Sequence, residues 1–165
     1  MVRLFLGLIF VLLDYKVTIG TAVVEILPDF AGFYLLMRSM EHMASRSRHF
    51  DRGRHWAFAM TILSAVLFGA DLLNPGNHEK VWLWAADVAA LAVGLGLVRR
   101  VILGLADSGR DVQLIRGMFP VLAVLQILCG LVSWIPLVGK VCSLVSLATG
   151  VLFLIIMYKA MKSAD

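Results

Sequence analysis

The sequence predicts an all-α polytopic membrane bundle of six transmembrane helices arranged as three hairpins. Three observations carry that prediction. Six stretches are apolar over the roughly 20 residues that a helix needs to cross a bilayer core. The basic residues between them fall almost wholly on one side. The composition, 61% hydrophobic and 16% charged, departs from the about 45–50% apolar and about 25% charged of soluble domains, and mean hydropathy is +0.90. In 165 residues this leaves one integral membrane domain, residues 1–165, and no soluble second domain.

The first predicted span runs over about 3–27. Met1-Val2-Arg3 and the apolar run Leu4–Leu13 resemble the start of a signal peptide, but Asp14-Tyr15-Lys16 and further apolar sequence follow instead of a cleavage region. The expectation is an uncleaved first span. Asp14, Lys16 and Glu25 within it leave a rival open: five spans plus a re-entrant or interfacial first segment. Pro28 stops this segment, and Asp29 opens the second span, about 29–47, as a cap at its positive N-terminal end.

The third span, about 55–73, ends at the turn sequence Asn74-Pro75-Gly76-Asn77. The fourth, about 81–103, is followed by Ser108-Gly109, and the fifth covers about 112–132. Pro136 and Gly139 bracket the turn before the sixth, about 138–160. One side receives Arg3, Arg46, Arg48, Arg52, Arg54, Arg99, Arg100, Arg110, Arg116, Lys159 and Lys162; the other receives Lys80 and Lys140. By the positive-inside rule both termini are cytoplasmic, in a bacterial inner membrane crossed several times. Trp82, Trp84 and Trp134 then fall in an outer aromatic belt.

Ionisable groups at membrane depth are rare and commonly functional. Asp14, Thr18, Thr21 and Glu25 recur at helical spacing and form a polar stripe on the first span. Such a stripe serves either as an ion or solute path, or as paired acids that hold the bundle together. Arg38 lies deep in the second span. Its partner is Asp29, Glu25, Asp14 or Asp87 across the bundle, or Glu41 one turn away. Facing a cavity, it would instead clamp an anion or lipid phosphate. Asp87 is the second intramembrane acid of a candidate path. Arg46, Arg48, Arg52 and Arg54, in the basic loop from Ser45 to His55, set topology and can contact anionic lipid heads.

Other signals point away from chemistry. His42, His49, His55 and His78 have no metal-ligand spacing, and no nucleotide loop, nucleophile elbow or zinc-protease motif occurs. Met37, Met40 and Met43 are read as packing in preference to a copper path. Cys129 and Cys142 sit where the fifth and sixth spans can bring them together, as packed thiols or as a disulfide. The basic residues flank apolar segments and form no continuous face, so a nucleic-acid partner is rejected.

The run Glu25-Ile26-Leu27-Pro28-Asp29-Phe30-Ala31-Gly32-Phe33-Tyr34 resembles a Leu-Pro-Asp-Phe-Ile-Gly-Tyr signature of small, uncharacterised polytopic membrane proteins of Gram-positive bacteria. Leu27, Pro28, Asp29, Phe30 and Gly32 match, while Ala31 and Phe33 depart conservatively. The resemblance covers the opening third of the chain and implies an important Pro28-Asp29 turn, but no activity.

The leading expectation is therefore a small transporter or channel-like protein for a solute, ion or lipid. It would use Asp14, Thr18, Thr21, Glu25, Arg38 and Asp87, without cofactor or catalytic residue. The alternative is a non-catalytic scaffold or accessory subunit that binds anionic lipid, a larger membrane partner or further copies of itself. An intramembrane lipid-modifying enzyme lacks the paired acids or His-carboxylate set it would need.

Overall fold

A computed structural model describes residues 2–12, 16–19, 22–25, 29–73, 81–132 and 136–162. Within them lie six helices: α1 (Val2–Leu12), α2 (Asp29–Met43), α3 (Arg48–Leu73), α4 (Val81–Asp107), α5 (Gln113–Val132) and α6 (Pro136–Lys162). Between α1 and α2 runs a short antiparallel hairpin of β1 (Lys16–Ile19) and β2 (Ala22–Glu25). Three helices are long and apolar enough to cross a membrane, over Val88–Asp107 in α4, Gln113–Val132 in α5 and Leu144–Lys162 in α6. These coincide with the fourth, fifth and sixth predicted spans.

The first predicted span is not one helix. α1 has 11 residues, about 16 Å at about 1.5 Å per residue, roughly half of a 30 Å hydrocarbon core. The chain then pairs Lys16 with Glu25, Val17 with Val24, Thr18 with Val23 and Ile19 with Ala22. The reason is local. Val17, Thr18, Ile19, Val23 and Val24 are β-branched residues, which fit a pleated strand better than a helix. The two residues joining the strands begin with Gly20, a favoured start for a tight hairpin connection.

The second span is also shorter than predicted: α2 has 15 residues and stops at Met43. α3 starts earlier than predicted because Ser47 caps it. Its hydroxyl accepts the backbone N–H of His49 at 3.0 Å, and its carbonyl accepts those of Phe50 and Asp51. Most of the predicted basic loop is consequently helix. Arg48, Arg52 and Arg54 lie on the first turns of α3, and Arg46 alone of that set lies in the turn.

Each helix packs on its neighbours in sequence, and α1 also packs on α6. Phe30 at the start of α2 meets Phe68 near the end of α3, with ring centroids 5.6 Å apart. Phe119 of α5 meets Phe153 of α6 at 6.4 Å. The α1–α2 crossing is made by glycines. A Cβ on Gly7 would stand 2.9 Å from Leu36 Cγ, and one on Gly32 would stand 2.6 Å from Phe10 Cβ. Small residues at such crossings let two backbones approach closely.

The described core lies toward one end of the bundle. It gathers Leu4, Leu8, Leu36, Met40, Phe50, Leu97, Val98, Ile102, Leu105, Ile115, Phe153 and Met157. The methionine stripe belongs here: Met40 and Met43 are buried, and Met37 packs against the core. α4 ends at this same end in a Schellman turn. Arg110 N–H donates to the Leu105 carbonyl and Gly109 N–H to that of Ala106, with Gly109 at φ +79°. Glycine adopts that left-handed conformation at no steric cost.

Candidate functional site

The end of the bundle that holds the core also holds most of the cations, because α2, α4 and α6 finish there while α1, α3 and α5 begin there. Three contacts across helices define it. Ser47 donates its hydroxyl to Asp107 Oδ2 at 2.5 Å, tying the start of α3 to the end of α4. Arg110 donates through Nη1 to the Met161 carbonyl and so holds the last turn of α6. Arg100 of α4 lies with its Cζ 5.7 Å from the ring centroid of Trp56 on α3, a cation–π contact. Gly53 makes room at that point: a Cβ there would meet Met40 Sδ at 2.7 Å and Arg100 Cβ at 3.9 Å.

Two guanidinium atoms at this end are buried without an acceptor among the described residues, Arg100 Nη1 and Arg54 Nε. Arg54 does bond Asp51 through Nη2, at 3.1 Å. A buried donor left without an acceptor is costly, and a phosphate or carboxylate oxygen is the acceptor that suits a guanidinium best. Arg46, Arg48 and Arg52 are exposed.

Beside this end, α1 and α6 form an open groove of about 570 Å³ lined by Phe5, Ile155, Tyr158, Lys159 and Lys162. The Phe5 and Tyr158 rings meet with centroids 5.3 Å apart and planes inclined by 49°. The groove was not legible in the sequence, where Lys159 and Lys162 registered only as topology signals.

The predicted polar path fares differently at each residue. Asp14, Thr21 and Pro28 lie outside the described residues, as do the side chains of Thr18, Glu25 and Asp87. A helical stripe through Asp14, Thr18, Thr21 and Glu25 does not form, because Thr18 and Glu25 belong to opposite strands of the hairpin. The register puts Glu25 opposite Lys16 and Thr18 opposite Val23. Asp29 opens α2 and supplies a carboxylate to its first turn, where the helix dipole favours it.

Arg38 is not buried against an acid from across the bundle. Its Nη1 bonds Glu41 Oε2 at 3.0 Å, with both side chains about half exposed, and its Cζ lies 6.0 Å from the Tyr34 ring centroid. The local i,i+3 partner wins because it lies one turn away on the same face of α2.

Four further polar side chains in the helices bond within the protein. Ser146 Oγ donates to Gln126 Oε1 at 2.5 Å, and Gln126 Nε2 donates to the Ser146 carbonyl at 3.3 Å. Thr61 donates to the Ala57 carbonyl at 2.8 Å and Thr149 to that of Val145 at 2.9 Å. Cys129 is buried and Cys142 half-buried, and the two stand as thiols within hydrogen-bond reach of one another. Among the described residues no three His, Cys, Asp or Glu side chains gather to hold a metal.

What the geometry defines is a helical protein with three helices fit to cross a membrane and a cationic end beside an apolar groove. No family model matches the chain, and neither a curated protein nor a solved structure matches it.

Proposed function

We propose that the chain is a small integral membrane protein that acts without catalysis, as an accessory or scaffold subunit contacting lipid or a membrane partner. One observation carries this reading. Thr61 of α3, Gln126 of α5, and Ser146 and Thr149 of α6 bond to other groups of the chain, in the Gln126–Ser146 pair and the Thr61 and Thr149 bonds, while the outward faces are apolar. Val121 is 70% exposed and Leu144 69%, and Leu114, Val124, Val141 and Leu152 are exposed with them. In water such faces would aggregate; in a bilayer they meet acyl chains or another helix. The basic end then faces the cytoplasm of a bacterial cell under the positive-inside rule. The resemblance of residues 25–34 to small Gram-positive membrane proteins agrees with that setting and adds no activity.

The transport reading is supported by a different observation, the break in the first apolar segment. Non-helical backbone at membrane depth is tolerated where it is buried in protein or lines water, and transporters place such breaks at their binding sites. The hairpin Lys16–Ile19/Ala22–Glu25 between α1 and α2 interrupts that segment, Asp14 precedes it by two residues in the sequence, and Asp87 belongs to α4. One experiment separates the two readings. The protein is reconstituted in sealed vesicles, and proton and potassium fluxes are followed with entrapped dyes. The scaffold reading expects fluxes equal to those of empty vesicles. A flux that Asp14→Asn or Asp87→Asn abolishes would overturn it in favour of transport.

A further inference from the structure

The groove between α1 and α6 combines an apolar wall with two cations, and the spacing on α6 explains why. Ile155, Tyr158, Lys159 and Lys162 stand at i, i+3, i+4 and i+7, a single helical face. Phe5 of α1 supplies the opposite wall and meets Tyr158 ring to ring. The apolar residues come first along α6 and the lysines last, in its final turn. The segment Leu144–Lys162 that is fit to cross a membrane ends at Lys162, so the lysines fall at headgroup level and Ile155 at acyl-chain level. Arg110 holds the Met161 carbonyl, which keeps that last turn wound and the two cations in place. Among the described residues no carboxylate pairs with Lys159 or Lys162.

We propose that this groove binds one anionic phospholipid of the adjoining leaflet, with an acyl chain along Phe5, Ile155 and Tyr158 and the phosphate on Lys159 and Lys162. The charge selects the lipid class. A zwitterionic choline headgroup brings its own cation to the lysine pair, whereas a phosphatidylglycerol headgroup brings none. Each lysine near an anionic surface contributes roughly 5-fold in affinity, and the pair roughly 30-fold. Compact ammonium groups suit a phosphate as point charges and need no fixed fork geometry. This site is separate from Arg46, Arg48, Arg52 and Arg54, which lie in the α2–α3 turn and on α3. The inference rests on the membrane-embedded reading of the chain, but on neither the scaffold nor the transport role.

The full chain is placed in nanodiscs of phosphatidylcholine with a minority of phosphatidylglycerol, and the lipids kept on release are weighed by native mass spectrometry. The expected result is one phosphatidylglycerol per chain. Lys159→Gln with Lys162→Gln lowers its retention roughly 30-fold. Ile155→Trp fills the apolar end and abolishes retention although both lysines remain, while Arg116→Gln, an exposed cation at the same end, leaves it unchanged. Equal loss with Arg116→Gln would make the effect general surface charge and overturn the proposal. So would retention by Ile155→Trp, indifferent retention of both lipids, or a dimer closed through Ile155 with no lipid bound. A chain that alkaline carbonate strips from the bilayer would overturn the embedded reading itself. An embedded chain with no lipid preference would overturn only this inference.

Discussion

The ring of Phe50 ends where a side chain on Gly104 would begin. A Cβ built at Gly104 stands 2.6 Å from Phe50 Cζ and 2.7 Å from Cε1, and Phe50 is fully buried. The pair joins the first turn of α3 to the last turns of α4, one turn from the bond between Ser47 and Asp107. Gly104→Ala therefore forces the ring or the helix to shift. The expected cost is about 1–3 kcal/mol, the range for overpacking a filled core. Reversible unfolding in mixed detergent with a chemical denaturant measures it. Phe50→Leu in the Gly104→Ala background should recover part of the loss, and a Gly104→Ala variant as stable as the parent would show that the ring does not fill this space.

Ser47 has two tasks, capping α3 through the His49 N–H and holding Asp107. Ser47→Ala removes both, at about 1–2 kcal/mol. Asp107→Asn keeps an amide oxygen for the hydroxyl to bond and leaves the cap intact, so its cost is smaller. Hydrogen exchange at His49, Phe50 and Asp51 reads the difference: Ser47→Ala speeds it, and Asp107→Asn leaves it nearly unchanged. Equal acceleration by both would place the α3 start under the control of Asp107 alone.

Gln126 and Ser146 form a part-buried polar link between α5 and α6. Hydrogen bonds between membrane helices contribute about 0.6 kcal/mol on average and up to about 1.7 kcal/mol. A double-mutant cycle with Gln126→Leu and Ser146→Ala should return a coupling energy in that range. Each change is expected to destabilise the parent more than it destabilises the chain that already lacks its partner. A coupling of zero would mean that the two side chains do not act together.

Cys129 and Cys142 face one another as free thiols. Mild oxidation with copper phenanthroline should close an α5–α6 disulfide within one chain, seen as a faster band on a non-reducing gel that reductant reverses. Cys129→Ser or Cys142→Ser alone removes the band. Cross-linked dimers in place of that band would mean that the thiols face outward.

Much of the fold was legible because helix ends are set by local chemistry. Ser108-Gly109 follows α4 as turn propensity predicts, whereas Pro136 and Gly139, expected to bracket a turn before the sixth span, both lie in the first turn of α6, where proline is tolerated as an opening residue. The failures lie where two local rules compete. Residues 16–25 satisfy hydrophobicity for a span, yet their β-branched run with Gly20 between the halves is a strand signature, and strand pairing won. Hydropathy also undercounted α3, whose first residues, from Arg48 to His55, are too polar to register as a span although Ser47 caps them into helix. The candidate path was readable as residues but not as a path. Helical phase places Thr18 and Glu25 on one face only if the helix continues, and the choice among five partners for Arg38 fell to its nearest, Glu41.

By itself the sequence determined that this chain is built of apolar helices with their cations gathered at one end. Hydrophobic length and charge placement are properties of each segment alone. Only the tertiary structure decided which of those cations are at the surface and which stand against a neighbour. Arg38 and Arg48 are exposed, Arg100 lies against Trp56, and Lys159 and Lys162 line a groove with Phe5 from the far end of the chain. The physical reason is that a groove, a cation–π contact or a glycine crossing needs two surfaces, and the second surface comes from a helix that spacing along one segment cannot name.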